Sequence, residues 1–333
     1  MEVETDDTVR LRVPRGKRSR AARLLPWVAG ASLIALLAAG GAWWSLRPAA
    51  PVQTAALQAP AESVEKPALL AVPRPPTIDP PPLAAEADIL ADRPNQLAIY
   101  RFVQQPAVVV LQFPTLGDQA LMLNRVAALI EKSEFPRASV VPRATLNAQI
   151  AASGGTPDTF YYGHDYSAAS LVRFFDLATN LNGQEQVLRG LVQKFGWGET
   201  GAVGALISLV RQSSAPDLDE AGRAAILRHE LSHGVYFTDA AYAEYCRRFW
   251  RDVLTGEERS KFTEFLGREG YDTALSDLIV NETQAYLMHT PDRRFFSASA
   301  VGISPARVAE LRQIFIVGMP PGWLRDSTMA DKL

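Results

Sequence analysis

The chain has 333 residues, 47% of them apolar, a formal net charge of −2 and a single cysteine, Cys246. That length and apolar share suit one or two packed domains and exclude a chain disordered throughout. Interspersed, nearly balanced charge provides no surface field for nucleic acid, and one thiol excludes both an internal disulfide and a Cys-x-x-Cys zinc site.

Residues 1–23 form a basic segment in which Arg10, Arg12, Arg15, Lys17, Arg18, Arg20 and Arg23 crowd ahead of a long apolar stretch. Residues 24–44, Leu24 to Trp44, carry no charge. At a rise of about 1.5 Å per residue this stretch is long enough, as a helix, to cross about 30 Å of hydrocarbon. Trp27, Trp43 and Trp44 stand where an aromatic belt would sit, and Arg47 closes the far end. The expectation is a single transmembrane helix in the lipid bilayer, with the basic N-terminus in the cytoplasm and the remainder exported to the periplasm or outside the cell. A cleaved signal peptide is the alternative, with Ala38, Gly40 and Ala42 as small residues near a cleavage point; the length of the apolar run and of the leader favours the uncleaved anchor.

Residues 45–87 are rich in Pro and Ala and predict an extended spacer. Residues 88–333 read as one domain. Ala107 to Phe113 is short and β-branched, which predicts a strand, and Ser139 to Val141 predicts a second. Helical spacing covers Asp118 to Lys132, Ser167 to Leu181, Gln184 to Lys194, Ala215 to Tyr236, Ala240 to Leu254, Glu257 to Leu266 and Thr273 to His289. Thr255 with Glu258 forms a capping box, Gly267 is placed to close that helix, and Ser214 with Asp217 is placed to start the helix from Ala215. The fold class expected is α+β, predominantly helical, with a small sheet.

The helix from Ala215 contains His229-Glu230-Leu231-Ser232-His233. Side chains four apart share a helix face, so both imidazoles can reach one metal ion, while Glu230, about 100° round the helix, can act as a base outside the coordination sphere. Ala224, Leu227, Leu231 and Val235 form the opposite stripe, which should pack on the core. The alternative is an ordinary amphipathic helix with solvated histidines. Zinc needs a third protein ligand and a place for water. Glu282, in SDLIVNETQAYLMH, shares a face with Leu275, Leu278, Ile279, Ala285 and Tyr286, and a carboxylate among such neighbours needs a charged partner. Asp239, ten positions after His229, is the rival ligand, although with Thr238 it can equally cap the helix from Ala240. Cys246 is most simply a core residue, and Arg247, Arg248 and Arg251 a solvated face.

HELSH followed about fifty residues later by NETQA resembles the gluzincin class of zinc metallopeptidases. The resemblance implies zinc bound by His229, His233 and Glu282, with Glu230 as the catalytic base in hydrolysis of a peptide or protein substrate. It covers two short motifs. Thermolysin-like members carry an aspartate four residues after the ligand glutamate, and this chain has Tyr286 there, so Asp277 or Asp239 would have to support a histidine. His164, Tyr161, Tyr166, Tyr286 and His289 are candidates for stabilising an oxyanion. Two other functions use the same motif: a zinc amidase acting on a cell-wall substrate, and a tethered scaffold stabilised by zinc without turnover.

Overall fold

The computed structural model describes residues 80–211 and 218–330. The basic segment, the apolar stretch 24–44, nearly all of the Pro/Ala-rich spacer, and Ser214 and Asp217 lie outside these residues. Among the described residues no helix is long and apolar enough to cross a membrane.

The described chain is mostly helical around one five-stranded mixed sheet, in the order β1-β2-β3-β5-β4. The strands are β1 (Leu83–Ala84), β2 (Ala98–Phe102), β3 (Val108–Phe113), β4 (His164–Ser167) and β5 (Ala205–Val210). β2 and β3 pair antiparallel, β3 and β5 parallel, and β4 closes the far edge antiparallel to β5. Every residue of β3 and of β5 is buried, because helices cover both faces of the sheet.

The period of two sorts the side chains. Val108 and Val110 of β3 and Ala205, Ile207 and Leu209 of β5 pack with Leu227 and Leu231 of helix α6 (Glu220–Thr238). Val109, Leu111 and Leu206 join the larger core with Met122, Leu123 and Val126 of α2 (Leu116–Ile130) on the other face. Gly234 lets α6 come this close to the sheet: a Cβ there would lie 2.8 Å from Val108 Cγ1. Of the stripe expected on α6, Leu227, Leu231 and Val235 are buried and seat the helix, while Ala224 is only half-buried.

Against the outer side of α6 lies α9 (Ser276–His289), backed by α8 (Gly256–Arg268). A buried polar chain ties these elements together. Gln284 donates to Ser232 at 3.2 Å, and Tyr242, in α7 (Ala240–Arg248), donates to Gln284 at 2.6 Å. Such bonds inside an apolar interface hold the helices in one register, since a slip would leave amide and hydroxyl groups unpaired.

Several boundaries differ from those expected. β1 and the start of α1 (Glu86–Ala91) fall within or against the range assigned to the spacer, so packed structure starts a few residues earlier than composition indicates. Residues 139–141 form bends and coil between α2 and α3 (Arg143–Ala152), with no neighbouring strand to pair them. α6 starts at Glu220, capped by the Asp219 side chain accepting from Gly222 N. The helix beginning at Ala168, α4, stops at Leu177, and the one beginning at Ala240 passes into a π-helical turn over Phe249–Val253. The Thr255–Glu258 capping box is present, but Gly267 lies inside α8, and the left-handed turn after it falls on Gly270, φ +87°.

Candidate metal centre

α6 and α9 bring three groups to one point. His229 Nε2 and His233 Nε2 lie 3.1 Å apart. Glu282 Oε2 stands 3.9 Å from the first and 3.8 Å from the second. The point equidistant from these three atoms lies about 2.1 Å from each, within the usual zinc–nitrogen and zinc–oxygen range of about 2.0–2.2 Å. His229, His233 and Glu282 are 2%, 0% and 1% exposed, which disposes of the solvated-histidine alternative. Two imidazoles and a carboxylate of this spacing are close enough to hold a metal ion.

Each ligand is placed by local sequence logic. The four-residue spacing puts both histidines on one face of α6, opposite the Leu227 and Leu231 stripe that packs on β3 and β5. Glu282 reaches them from α9 because Ile279, Ala285 and Tyr286 are buried on the same side. The Tyr286 ring stands edge-on to the His229 ring, with centroids 4.8 Å apart. The other nitrogen of His229, Nδ1, meets Thr290 Oγ1 at 2.8 Å.

Glu230 lies outside this triangle. It lines a narrow cleft together with His229 from α6, Gly163, His164 and Asp165 from β4 and the turn before it, and Glu131, Tyr161 and Tyr271. The Gly163 backbone runs so close to the Glu230 carboxylate that a Cβ there would lie 2.2 Å from Oε1. Asp165 approaches His233 from the same strand, with Oδ1 3.8 Å from Nδ1.

The remaining candidates separate cleanly. Asp239 is the N-cap of α7, its carboxylate accepting from Ala241 N at 2.9 Å and Tyr242 N at 3.1 Å; the helix-cap alternative holds, and it is not part of the triangle. Asp277 supports neither histidine. It accepts from Tyr236 at 2.7 Å and from Arg247 at 2.8 Å; burial raises its pKa, but these two bonds prevail and hold it below the usual value.

His289 sits apart from the triangle and the cleft, bonded through Nε2 to Tyr242 at 3.1 Å, and burial pulls its pKa down to about 3. It is a neutral core histidine. Tyr161 and His164 line the cleft, while Tyr166 lies behind them, its hydroxyl 2.8 Å from His164 Nδ1. Cys246 is buried, and its thiol is pushed upward chiefly by that burial. Arg247, Arg248 and Arg251 form ion pairs on a largely exposed face, as their sequence pattern indicates.

Three residues of the site carried no sequence signal. Thr290 lies beyond the helical period of α9, Asp165 acquires its position only when β4 pairs with β5, and Gly163 matters through a close approach across the fold. No protein-family model matches the chain, and comparison with curated proteins and with solved structures gave no match.

Proposed function

We propose that this chain is a zinc-dependent peptidase of the gluzincin type, tethered to a membrane by its apolar N-terminal segment and acting on the exported side. The observation that carries this reading is the buried triangle of His229, His233 and Glu282 with Glu230 held beside it, lining a narrow cleft. A zinc ion bound by those three side chains would supply Lewis acidity to water and to a substrate carbonyl.

The protein groups do the rest. Glu230 takes the proton from the attacking water and returns it to the leaving amine, a role open to a carboxylate that is not itself a ligand. His164 and Tyr161, an imidazole and a phenol that line the cleft, are the groups we assign to hydrogen bonding with the developing oxyanion. A peptide is the favoured substrate because β4 ends the sheet beside the cleft, and an edge strand offers an extended chain a row of main-chain donors and acceptors. The basic run ahead of residues 24–44 supports the cytoplasmic N-terminus.

The test is Glu230→Gln in the full-length protein, assayed for zinc content, folding and cleavage of quenched fluorogenic peptides. Retained zinc with turnover lost is expected; undiminished turnover would eliminate Glu230 as the base. A wild-type protein that holds zinc and cleaves no peptide would move the reading to the cell-wall amidase or the scaffold.

A further inference from the structure

We propose that Asp165, on the edge strand β4, is the carboxylate that positions His233 for metal binding; the inference rests on the metal reading of the triangle. His233 presents Nε2 to Glu282 and His229, so its opposite ring atom, Nδ1, points away from the triangle. That atom faces Asp165 Oδ1 at 3.8 Å, across a contact in which His233 is fully buried and the Asp165 side chain is 13% exposed. Metal-bound imidazoles almost always pass their second N–H to a carboxylate, a carbonyl or water, which fixes the tautomer and offsets the charge drawn into the ring. At 3.8 Å the interaction is electrostatic, and a side-chain adjustment of about 1 Å brings it within hydrogen-bonding range.

On α9 the residue one turn after Glu282 is Tyr286, which packs its ring against His229. Asp277 and Asp239 are committed elsewhere, to Tyr236 with Arg247 and to the cap of α7. Asp165 is held by the ladder, opposite Ile207 of β5, while His164 and Tyr166 on either side of it join each other through a hydrogen bond. The alternation of the strand thus turns Asp165 toward α6. Asp165, Glu230 and His233 place one ligand atom each within 4.8 Å of one another, so Asp165 lies close to both a ligand and the base.

The experiment is zinc affinity of the full-length protein in detergent, by competition with a chromophoric chelator, for wild type, Asp165→Ala and Asp165→Asn, with zinc stoichiometry and the thermal midpoint of the metal-free forms. Asp165→Ala is expected to bind zinc about 10–100-fold more weakly. Asp165→Asn, which keeps an acceptor oxygen, is expected to recover part of that loss, and the metal-free midpoints to stay together. Equal affinity in Asp165→Ala and wild type overturns the proposal and leaves the metal site standing. Two zinc ions in wild type falling to one in Asp165→Ala overturns it as well, making Asp165 a ligand. A wild type that binds no zinc overturns the metal reading and this inference together.

Discussion

His229 and Thr290 meet at 2.8 Å through the imidazole Nδ1 and the threonine Oγ1. Thr290 directs its only hydroxyl proton to the Ala285 carbonyl oxygen at 2.9 Å. Its oxygen therefore accepts from His229 Nδ1–H, and Nε2 is left with the lone pair that a metal requires. Replacing Thr290 by Val keeps the shape and removes the acceptor. Zinc affinity of Thr290→Val, measured by chelator competition, is expected to fall about 10–100-fold, and an unchanged value would show that the tautomer is set elsewhere.

The two rival third ligands separate by metal content. Glu282→Ala is expected to lose the zinc retained through dialysis. Asp239→Ala should keep it and instead lose about 1 kcal/mol of folding stability, because the first-turn amides of α7 lose their cap. Elemental analysis beside urea unfolding of both variants decides, and the opposite pattern would reassign the ligand.

Gly163 allows the Glu230 carboxylate to lie against the turn before β4. A methyl group there would fall 2.2 Å from Oε1, so the base must move. Gly163→Ala should therefore retain zinc, since Gly163 approaches Glu230 and none of the three ligand side chains, while peptide turnover drops by at least about tenfold, the effect of roughly 1.4 kcal/mol on a barrier. Loss of zinc with turnover would place Gly163 in the ligand scaffold instead.

His289 should make the metal-free protein acid-sensitive. Burial first, then the nearby charges of Arg228, His233 and Arg312, holds its pKa down to about 3. An unfolded histidine titrates near about 6.5, so between those values the unfolded chain takes up a proton that the folded chain refuses. Stability is thus complete above about pH 6.5 and falls as the pH drops toward 3, by at most about 1.4 kcal/mol per unit. Urea unfolding at about pH 7 and 5 should show a slope for His289→Asn shallower than wild type by up to one proton. Equal slopes would mean that the imidazole is protonated in the fold.

What the sequence determined by itself was local. The His229–His233 spacing on one helix, the inward face of α9 that carries Glu282, the β-branched strand at β3 and the Thr255–Glu258 cap all follow from interactions within a few residues, so periodicity and capping chemistry reveal them. β5 escaped because a strand buried on both faces shows an apolar run, ALISLV, with no alternation to mark it. The segment at 139–141 shows the converse: a β-branched run without a partner strand remains coil.

Only the tertiary structure decided which side chains share the site. Glu282 could have been one buried carboxylate among several until the contact of α9 with α6 brought it 3.8 Å from His233 Nε2. Asp165, Thr290 and Gly163 come from a strand edge, a helix end and a turn, joined to α6 by packing between segments distant in the chain. No local pattern encodes that packing, because its energy arises from burying the whole sheet between helices and is spread over many residues.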